Sequence, residues 1–354
     1  MSHVRLVNVT KRFGSVTAVN ALNLEIDKGE CFSMLGPSGC GKTTTLRMVA
    51  GFEDLSEGEI HVGGRLISSR EKNWYLPPEK RDFGMVFQAF AVWPHMTVRE
   101  NVAFPLRVRG LPAAEIESRA KDALASTNLL SAADESPADL SGGGKQRVAL
   151  ARALAINPDV MLLDEPLSSL DPHLREEMRF EIRDLQRKYG FSIIYVTHDQ
   201  AEAMALSDRI LVMKEGVVQQ IDTPLAVYSN PVNRFVFSFI GLSNFLDVVR
   251  AGDRLAFPDG GELPLTSPLR DARLSLASRP SEIDFCEPGK GDLNGIVSRR
   301  SFLGEIIDCR IKTGGGELRV QKGRRAPAPD VGKSCGLKLL RPFWYAETEA
   351  TKSG

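Results

Sequence analysis

Apolar and polar residues alternate at the beginning of the chain, and this pattern changes after residue 34. The runs VRLVNV (residues 4–9) and LNLEID (22–27) have the period of two that is typical of half-buried strands. The segments TKRFGS and DKGE supply turn residues after them. The pattern therefore predicts antiparallel pairing at the amino terminus.

Beyond residue 34, short apolar runs are followed by longer amphipathic segments, as in an α/β sheet. The apolar runs lie at residues 85–87, 159–164, 192–198 and 209–213. Within residues 174–189, apolar side chains recur every three or four positions and so share one helical face. We expect this helix to pack on a sheet built from the apolar runs.

Two further regions depart from this pattern. The β-rich pattern disappears at about residues 89–157, where AAEIESRAKDALASTNLL reads as helix, so we expect an inserted helical subdomain. Past residue 241, short strand-like runs broken by Gly and Pro predict a small β-barrel. We therefore predict two domains, residues 1–240 and residues 241–354.

Composition limits the classes of partner. The 354 residues are 42% hydrophobic and 25% charged, and 45 basic side chains balance 45 acidic ones, so the overall charge favours neither nucleic acid nor an anionic membrane as main partner. Five cysteines without C-x-x-C spacing fit a reducing compartment. The sequence shows no secretion signal and no membrane-spanning run, so we expect a cytosolic chain.

The segment GPSGCGKT, residues 36–43, matches G-x-x-x-x-G-K-[ST] between an apolar strand and a helical run. Glycines let backbone N–H groups face an anion, and the following helix adds its positive end. Lys42 would reach the β- and γ-phosphates, and the Thr43 hydroxyl would hold Mg²⁺. The alternative, a glycine-rich turn without a ligand, is disfavoured by the strand and helix around it. The predicted nucleotide-binding residues here are Gly36, Pro37, Ser38, Gly39, Cys40, Gly41, Lys42, Thr43 and Thr44.

Asp164 and Glu165 follow the apolar run VMLL, at the carboxyl end of a predicted buried strand. Open α/β sheets bind ligands at this edge. An Asp-Glu pair alone could equally be a solvated turn, but its occurrence together with a phosphate loop favours a site. We expect Asp164 to hold the metal and Glu165 to polarise the attacking water as general base.

The segment DLSGGGKQRVALARAL, residues 139–154, resembles the signature of the ATP-binding cassette (ABC) family, the nucleotide-hydrolysing subunits of ABC transporters. Ser141 would cap the helix behind it and, with the amides of Gly142 and Gly143, face a phosphate. The resemblance covers nearly the whole chain. It implies that this phosphate belongs to a nucleotide held by a second copy, so that two nucleotides lie between two chains arranged head to tail.

The resemblance also implies roles for single residues elsewhere. Gln88 resembles the glutamine that touches Mg²⁺ and water when the lobes rotate, and His198 resembles the histidine that contacts the γ-phosphate and steadies the general base. Asp171, in SSLD, resembles the loop that crosses the dimer interface. Phe13 matches the position that stacks on adenine. Trp93 resembles part of the docking groove for a cytoplasmic helix of a membrane-spanning subunit.

The carboxyl-terminal segments ASRPSEIDF and GIVSRRSFLGEIIDCRI resemble the accessory barrel of importer ATPases of the maltose, polyamine and ferric-iron type. The implied fold class is α/β: a P-loop NTPase ABC cassette with a RecA-like core, an antiparallel β subdomain and a helical subdomain. A small β-barrel of the oligonucleotide-binding (OB, TOBE-like) type follows it. The name of that barrel gives no basis for nucleic-acid binding.

These patterns together predict a homodimeric ATPase subunit that uses ATP and Mg²⁺ and has Lys42, Gln88, Glu165 and His198 as catalytic residues. The resemblance implies that it binds a separate permease at the cytoplasmic face of the inner membrane and is served indirectly by an external solute-binding protein. Ferric iron is the predicted cargo, ahead of polyamines and organophosphonates. This choice rests on the general character of the sequence.

Two other classes stay open. One is a soluble ABC ATPase of DNA repair or translation, but the chain has neither a long coiled-coil insertion nor a second cassette. The other is a regulatory module that does not hydrolyse ATP. It is suggested only by Gly144, which stands where the family pattern has glutamine and costs a polar contact and some helix stiffness.

Overall fold

A computed structural model describes residues 2–259 and 261–346, and the chain divides into two compact units, Met1–Val232 and Asn233–Gly354. The division precedes the boundary that we expected at residues 240 and 241. The helix between these positions belongs to the second unit because Phe237 packs against Phe245 and Phe343, with ring centroids 5.6 and 5.1 Å away. Residues 260 and 347–354 of the second predicted domain lie outside the described residues.

The first unit alternates strands and helices after an initial pair of long strands. In chain order its elements are β1 (Ser2–Phe13), β2 (Val16–Asp27), β3 (Cys31–Leu35), α1 (Lys42–Ala50), β4 (Glu57–Val62), β5 (Arg65–Ser69), β6 (Trp74–Tyr75), β7 (Phe83–Val86), α2 (Val98–Val108), α3 (Ala113–Ser126), α4 (Gly142–Ala155), β8 (Val160–Asp164), α5 (Pro172–Tyr189), β9 (Ser192–Thr197), α6 (Gln200–Leu206), β10 (Arg209–Lys214), β11 (Val217–Asp222) and α7 (Pro224–Ser229).

The amino-terminal strands form an antiparallel sheet with the order β2-β1-β4-β5-β6. The predicted pairing of the first two strands is confirmed, but both are longer than predicted. Within the segment TKRFGS, in which we expected a turn, residues 10–13 continue the pairing through bulges, with Lys11 opposite Val19 and Arg12 opposite Thr17. The chain turns only at Gly14, whose φ of 57° suits glycine.

The second sheet of this unit has the order β11-β10-β3-β9-β8-β7, and all neighbours except β10 and β11 are parallel. Every residue of β3, β8 and β9 is buried, as expected for strands covered on both faces. The helix α5 buries Met178, Ile182 and Leu185 against this sheet, whereas Tyr189 remains 37% exposed. Because β10, β3, β9, β8 and β7 run parallel, their carboxyl ends lie at one common edge of the sheet.

Helices α2, α3 and α4 lie between β7 and β8 and share an apolar core of their own. The side chain of Thr97 caps α2, because its oxygen accepts from Glu100 N and the Glu100 carboxylate accepts from Thr97 N. Pro112 precedes α3, and Ser141 caps α4. This helical lobe separates β7 from β8 in sequence although the two strands pair.

The second unit is strand-rich. Its elements are α8 (Arg234–Phe239), β12 (Asn244–Ala251), β13 (Arg254–Ala256), β14 (Glu262–Leu263), β15 (Arg273–Ser278), β16 (Ile283–Cys286), β17 (Leu293–Phe302), β18 (Ile306–Thr313), β19 (Gly316–Gly323), β20 (Ser334–Leu339) and β21 (Phe343–Ala346).

These strands form two antiparallel sheets, with the orders β14-β13-β12-β15-β21 and β16-β20-β17-β18-β19. One apolar core lies between them, with Leu246 and Leu276 from the first sheet and Val297, Ile311 and Leu337 from the second. The predicted fold class, an ABC cassette of the P-loop NTPase type followed by an OB-type β-domain, is confirmed. Within the described residues, no helix is both long and apolar enough to cross a bilayer.

Candidate functional site

Four loops that carry chemically active side chains leave the same edge of the parallel sheet. The glycine-rich loop 36–41 follows β3, His198 follows β9, Glu165 follows β8, and Gln88 follows β7. Because β3, β9, β8 and β7 are neighbours in that order and run parallel, their carboxyl ends are adjacent. The sheet topology thus brings together residues that are far apart in the sequence.

The glycine-rich loop bends too tightly for most side chains. A Cβ atom on Gly36 would lie 2.3 Å from the carbonyl oxygen of Met213, and one on Gly41 would lie 2.4 Å from that of Ala18. Gly41 also has a φ of 106° as the residue that begins α1. The first turn of α1 has neither a side-chain cap nor an acidic residue, so the helix itself supplies nothing that compensates its positive end.

Lys42 is buried beneath the loop. Its Nζ donates to the carbonyl oxygens of Gly36 at 2.8 Å and Pro37 at 3.0 Å. Pro37, Ser38 and Gly39 are exposed, so the loop presents its backbone to solvent above the ammonium group. The arrangement can hold an anion between the Lys42 charge and the amides of the loop.

Thr43 and Asp164 form the second element of the site. Thr43 Oγ1 donates to Asp164 Oδ1 over 3.1 Å, which joins the start of α1 to the end of β8. Asp164 is only 9% exposed, and burial raises its pKa although the Thr43 hydrogen bond acts in the opposite direction. A hydroxyl and a buried carboxylate at this distance are oxygen ligands of the kind that Mg²⁺ takes together with phosphates and water.

Glu165 and His198 form the third element. His198 Nδ1 lies 3.0 Å from Glu165 Oε2, and the Glu165 backbone N–H donates to the Val196 carbonyl at 2.9 Å. Glu165 has a φ of 45°, a left-handed conformation that is uncommon for a residue with a side chain and often occurs at functional sites. The histidine is 58% exposed and the glutamate 22% exposed, so the pair faces a space open to water.

Gln88 and Phe13 are both accessible to a ligand. Gln88 lies in the exposed turn after β7, at the same edge as Asp164. Phe13 ends β1 with 47% of its surface exposed, and Lys11 Nζ lies 4.8 Å from its ring centroid. Their roles toward metal and adenine stay predictions.

The signature residues have surroundings different from those of the glycine-rich loop. Ser141 Oγ accepts from Gly144 N at 3.2 Å, and Ser141 and Gly142 are exposed. Gly143 is buried next to the Leu174 side chain, and a Cβ atom at this position would lie 2.8 Å from that side chain. At Gly144 a Cβ atom would lie 2.9 Å from Leu140 Cβ, so the glycine lets these two positions approach closely.

Asp171 caps α5, because its Oδ1 accepts from Leu174 N at 3.0 Å. The preceding loop starts at Glu165, whose carbonyl oxygen accepts from Ser168 Oγ at 2.9 Å. This loop is therefore connected at one end to the Glu165–His198 pair and at the other to an exposed helix cap.

An apolar groove lies beside the turn that contains Gln88. Trp93 and Phe104 pack at a centroid distance of 4.5 Å, and the Arg152 guanidinium lies 4.6 Å from the Trp93 ring. Arg152 also donates to the carbonyl oxygen of Ala91 at 2.6 Å. The apolar side chains of the groove are Phe83, Met85, Phe87, Trp93, Phe104, Pro105 and Val108.

Two arginines with several hydrogen bonds were missed by the sequence reasoning: Arg81, which is buried at the far end of α1, and Arg175, which is partly buried beside the site. Arg81 donates to the carbonyl oxygens of Met48 and Val49 at the end of α1, and Arg175 contacts the loops that carry Ser168 and Asp199. Neither arginine lies in a motif of contiguous residues. The one signal for Arg175 was its place in the first turn of a helix directly after SSLD.

The first comparison is with a protein-family model. The model described as "ABC transporter" matches residues 19–168 of this chain. The matched range contains the glycine-rich loop, the signature segment and the Asp164–Glu165 pair. It thus covers three of the segments on which the sequence resemblance rests.

Similar proteins include ATP-binding proteins of three import systems. A trehalose/maltose import ATP-binding protein of Thermococcus litoralis is 51% identical over 75% of this chain and 71% of its own length. A spermidine/putrescine import ATP-binding protein of Rubrobacter xylanophilus is 48% identical over 94% of this chain and 90% of its own. An Fe(3+) ions import ATP-binding protein of Brucella abortus is 43% identical over 89% of each.

Solved structures match the first part of the chain. A dimeric ATP-binding cassette in a post-hydrolysis state, bound to ADP and Pi, is 34% identical with a TM-score of 0.54 over 62% of this chain and 98% of that chain. A protein of Clostridium perfringens described as part of an ABC transporter complex is 30% identical with a TM-score of 0.58, over 64% and 91% of the two chains.

Proposed function

This chain belongs to the ABC transporter family as an ATP-hydrolysing, ATP-binding subunit of the import type, and from that premise we propose how its own residues bind and cleave ATP to drive solute uptake. One observation carries the proposal: the four loops after β3, β9, β8 and β7 meet at one edge, with Thr43 beside Asp164 and Glu165 beside His198. A nucleotide triphosphate on the glycine-rich loop would end between these two pairs.

The glycine-rich loop would hold the β- and γ-phosphates. Its backbone amides and the free end of α1 supply partial positive charge, and Lys42 supplies a full one. Lys42 is already buried and donates to carbonyl oxygens of its own loop, so it can transfer these hydrogen bonds to phosphate oxygens without a new buried charge. The exposed ring of Phe13 would stack on the adenine.

Glu165 would take the proton of the attacking water. A carboxylate serves as general base when it lies within hydrogen-bond reach of that water, and Glu165 follows β8 at the sheet edge that also carries the phosphate loop, with β9 and His198 between them. His198, at 3.0 Å, would orient the carboxylate and donate to the γ-phosphate. Gln88, on the turn after β7, would position the water from the other side.

Thr43 and Asp164 would hold Mg²⁺, and Gln88 would approach it from the neighbouring strand end. The donor set fits this ion, because two protein oxygens suffice when phosphate and water complete an octahedron. The bound ion would neutralise the negative charge that develops during phosphoryl transfer. Among the described residues, no group of three or more acidic, His or Cys side chains could hold a metal ion without other ligands.

Two copies would share each nucleotide. Ser141, Gly142 and Gly143 begin a helix on the inserted lobe, away from the contacts of their own phosphate loop, so the phosphate that they fit is the one on a second copy. The dimeric cassette among the similar structures supports this arrangement. Closure of the head-to-tail dimer on ATP, and its release after hydrolysis, would supply the movement that the permease needs.

The permease would bind in the groove around Trp93. An exposed apolar groove on a surface lobe is typical of a docking site for a partner helix, and the groove borders the turn of Gln88. Permease movement and the contact of Gln88 with the nucleotide would thereby be linked. The chain would then act at the cytoplasmic face of the inner membrane, with a solute-binding protein on the outer side.

Ferric iron is the cargo that we propose, with polyamines and organophosphonates as alternatives. Fe(3+) import proteins are among the relatives over 89% of the chain, and spermidine/putrescine and trehalose/maltose proteins stand beside them. Because an ATPase subunit does not touch the cargo, the decisive experiment reconstitutes the chain with its permease and binding protein. Ferric iron, and neither spermidine nor an organophosphonate, should stimulate ATP turnover.

The substitution Glu165→Gln tests the assignment of the base. It keeps the shape of the side chain but removes the proton acceptor, so kcat should fall by roughly 10²–10⁴-fold while ATP binding persists. Steady-state phosphate release measures the first effect, and equilibrium binding of a fluorescent ATP analogue measures the second. Glu262→Gln, an exposed glutamate of the second unit, is the matched control and should turn over like the wild type. Equal turnover by the Glu165 variant would refute the assignment.

A further inference from the structure

Arg175, in the first turn of α5, connects two loops of the site. Its Nη2 donates to the carbonyl oxygen of Leu170 at 3.1 Å and lies 3.5 Å from that of Ser168, so it holds the loop between Glu165 and Asp171. Its Nη1 donates to Asp199 Oδ2 at 3.1 Å, directly after His198. One guanidinium group therefore contacts both segments.

On the histidine side, the connection includes a buried carboxylate that accepts two hydrogen bonds. Glu202 is 2% exposed, and its Oε2 accepts from Tyr195 Oη at 2.9 Å and from Thr197 Oγ1 at 2.7 Å. The Asp199 backbone N–H donates to the same Thr197 hydroxyl at 2.9 Å, and Arg175 Nε lies 3.6 Å from Glu202 Oε1. The residues on both sides of His198 are thus fixed by a network that includes Arg175.

The other side of the connection reaches the second copy in the proposed dimer. The loop from Glu165 to Asp171 begins at the general base, where the Ser168 hydroxyl donates to the Glu165 carbonyl oxygen, and ends at the exposed cap of α5. A shift of this loop moves the two carbonyl oxygens that Arg175 binds. Because the guanidinium group is planar and rigid, it must either move with these carbonyl oxygens or lose its charge-assisted hydrogen bonds to them.

We propose that Arg175 is a positioning residue that makes the placement of His198 depend on the placement of the loop between Glu165 and Asp171. Contact of a second copy with that loop would then change the placement of His198 beside Glu165. Hydrolysis would start only when the dimer is closed. This inference rests on the proposed function, because it takes Glu165 and His198 as the hydrolytic pair. The contacts of Arg175 are the carbonyl oxygens of Ser168 and Leu170 and the carboxylates of Asp199 and Glu202.

The substitution Arg175→Lys separates positioning from charge. Lysine keeps the positive charge beside Asp199 and Glu202 but cannot span the carbonyl oxygens and the carboxylates at the same time. A misplacement of about 1 Å near the reacting atoms can cost roughly 10²-fold in rate. We expect kcat to fall about 10- to 100-fold while KM for ATP changes less than about threefold, because the phosphate loop does not contact Arg175.

Arg183→Lys is the matched control. Arg183 lies on the same helix and is paired with both carboxylate oxygens of Asp208, away from the two loops. The full-length control should keep the wild-type kcat. Melting temperatures of all variants show whether they fold. If Arg175→Lys melts well below the control, Asp199→Asn replaces it. Asparagine keeps the side-chain shape and can still cap α6, where Asp199 Oδ1 accepts from Ala201 N and Glu202 N, but it removes the charge that pairs with Arg175.

The outcomes are distinct. Loss of kcat at constant KM in the Arg175 or Asp199 variant, with a normal Arg183 control, supports the inference. A kcat within twofold of the wild type, a parallel rise of KM, or an equal loss in the control overturns it. Glu165→Gln is measured in parallel: turnover by that variant refutes the base assignment, whereas an inactive Glu165 variant beside a normal Arg175 variant refutes only the inference drawn here.

Discussion

Asp164 shows at the scale of one residue how the site works against stability. The carboxyl group lies at the end of a buried strand, and its burial raises its pKa above the usual aspartate value of 3.8. The folded protein therefore binds a proton there more readily than the unfolded chain does. At neutral pH the ionised carboxylate therefore lowers the free energy of unfolding. A charged metal ligand in a partly dry site carries this loss of stability.

Asp164→Asn should therefore stabilise the nucleotide-free protein at neutral pH. Asparagine keeps the oxygen that accepts from Thr43 but carries no charge, so the melting temperature at pH 7 should rise. The gain should shrink as the pH falls through the raised pKa toward 3.8, because the wild-type carboxyl then becomes protonated in the folded state too. Thermal unfolding at a series of pH values measures both effects, and a variant that melts lower than the wild type at pH 7 contradicts the argument.

Residues in contiguous motifs could be predicted from the sequence, and residues in networks could not. The phosphate loop is recognisable because its glycines, lysine and threonine must be adjacent to bend around an anion. Arg175 is different, since its partners Leu170, Asp199 and Glu202 come from separate segments. Only the pairing of β8 with β9, which places the loop after one strand beside the helix after the other, reveals the connection.

At the scale of elements, the helix α1 depends on a side chain from outside it. The carbonyl oxygens of Met48 and Val49, at its carboxyl end, accept from Arg81 Nη1 at 2.8 and 2.7 Å. Arg81 is 5% exposed, and burial lowers its pKa to about 10. The guanidinium thus satisfies helix-end carbonyl groups that water cannot reach.

Arg81→Met should destabilise the first unit by about 2–4 kcal/mol, because the carbonyl groups that Arg81 now binds would stay buried without a donor. The melting temperature should drop accordingly. Arg99→Met removes an exposed ion pair with Asp134 on the helical lobe and is the control with the same change of side chain. It should leave the melting temperature nearly unchanged. Equal effects of the two substitutions would show that burial of Arg81 is not what matters.

The elements themselves were predicted best where burial is complete. The strands β3, β8 and β9 are buried throughout and mostly apolar, so their existence follows from the pattern alone. The predicted turn segment TKRFGS contains the turn only in its last two residues. Its polar and basic composition is typical of a turn, although the backbone from Thr10 to Phe13 still pairs with β2. The extent of a strand at the surface is decided by its partner strand, which a local pattern does not contain.

At the scale of the whole molecule, the phosphate loop and the signature helix make sense only together. The first offers amides and Lys42 to one side of a triphosphate, and the second offers Ser141 at an exposed helix start. Ser141 caps a helix of the inserted lobe and Lys42 begins α1, and in the proposed dimer the two residues that close around one nucleotide would come from different chains. The nucleotide would then hold the two copies together, and hydrolysis would weaken that contact.

Ser141→Asp tests this arrangement without breaking the helix. Aspartate caps helices as well as serine does, but its negative charge would repel the phosphate of the opposing nucleotide. In the Glu165→Gln background, ATP and Mg²⁺ should double the mass seen by light scattering, and the added Ser141→Asp change should abolish the doubling while ATP binding to the phosphate loop persists. Ser141→Asn, an equally good cap without charge, should restore the dimer. Dimerisation of the aspartate variant at the same ATP concentration would mean that the helix start does not face a phosphate.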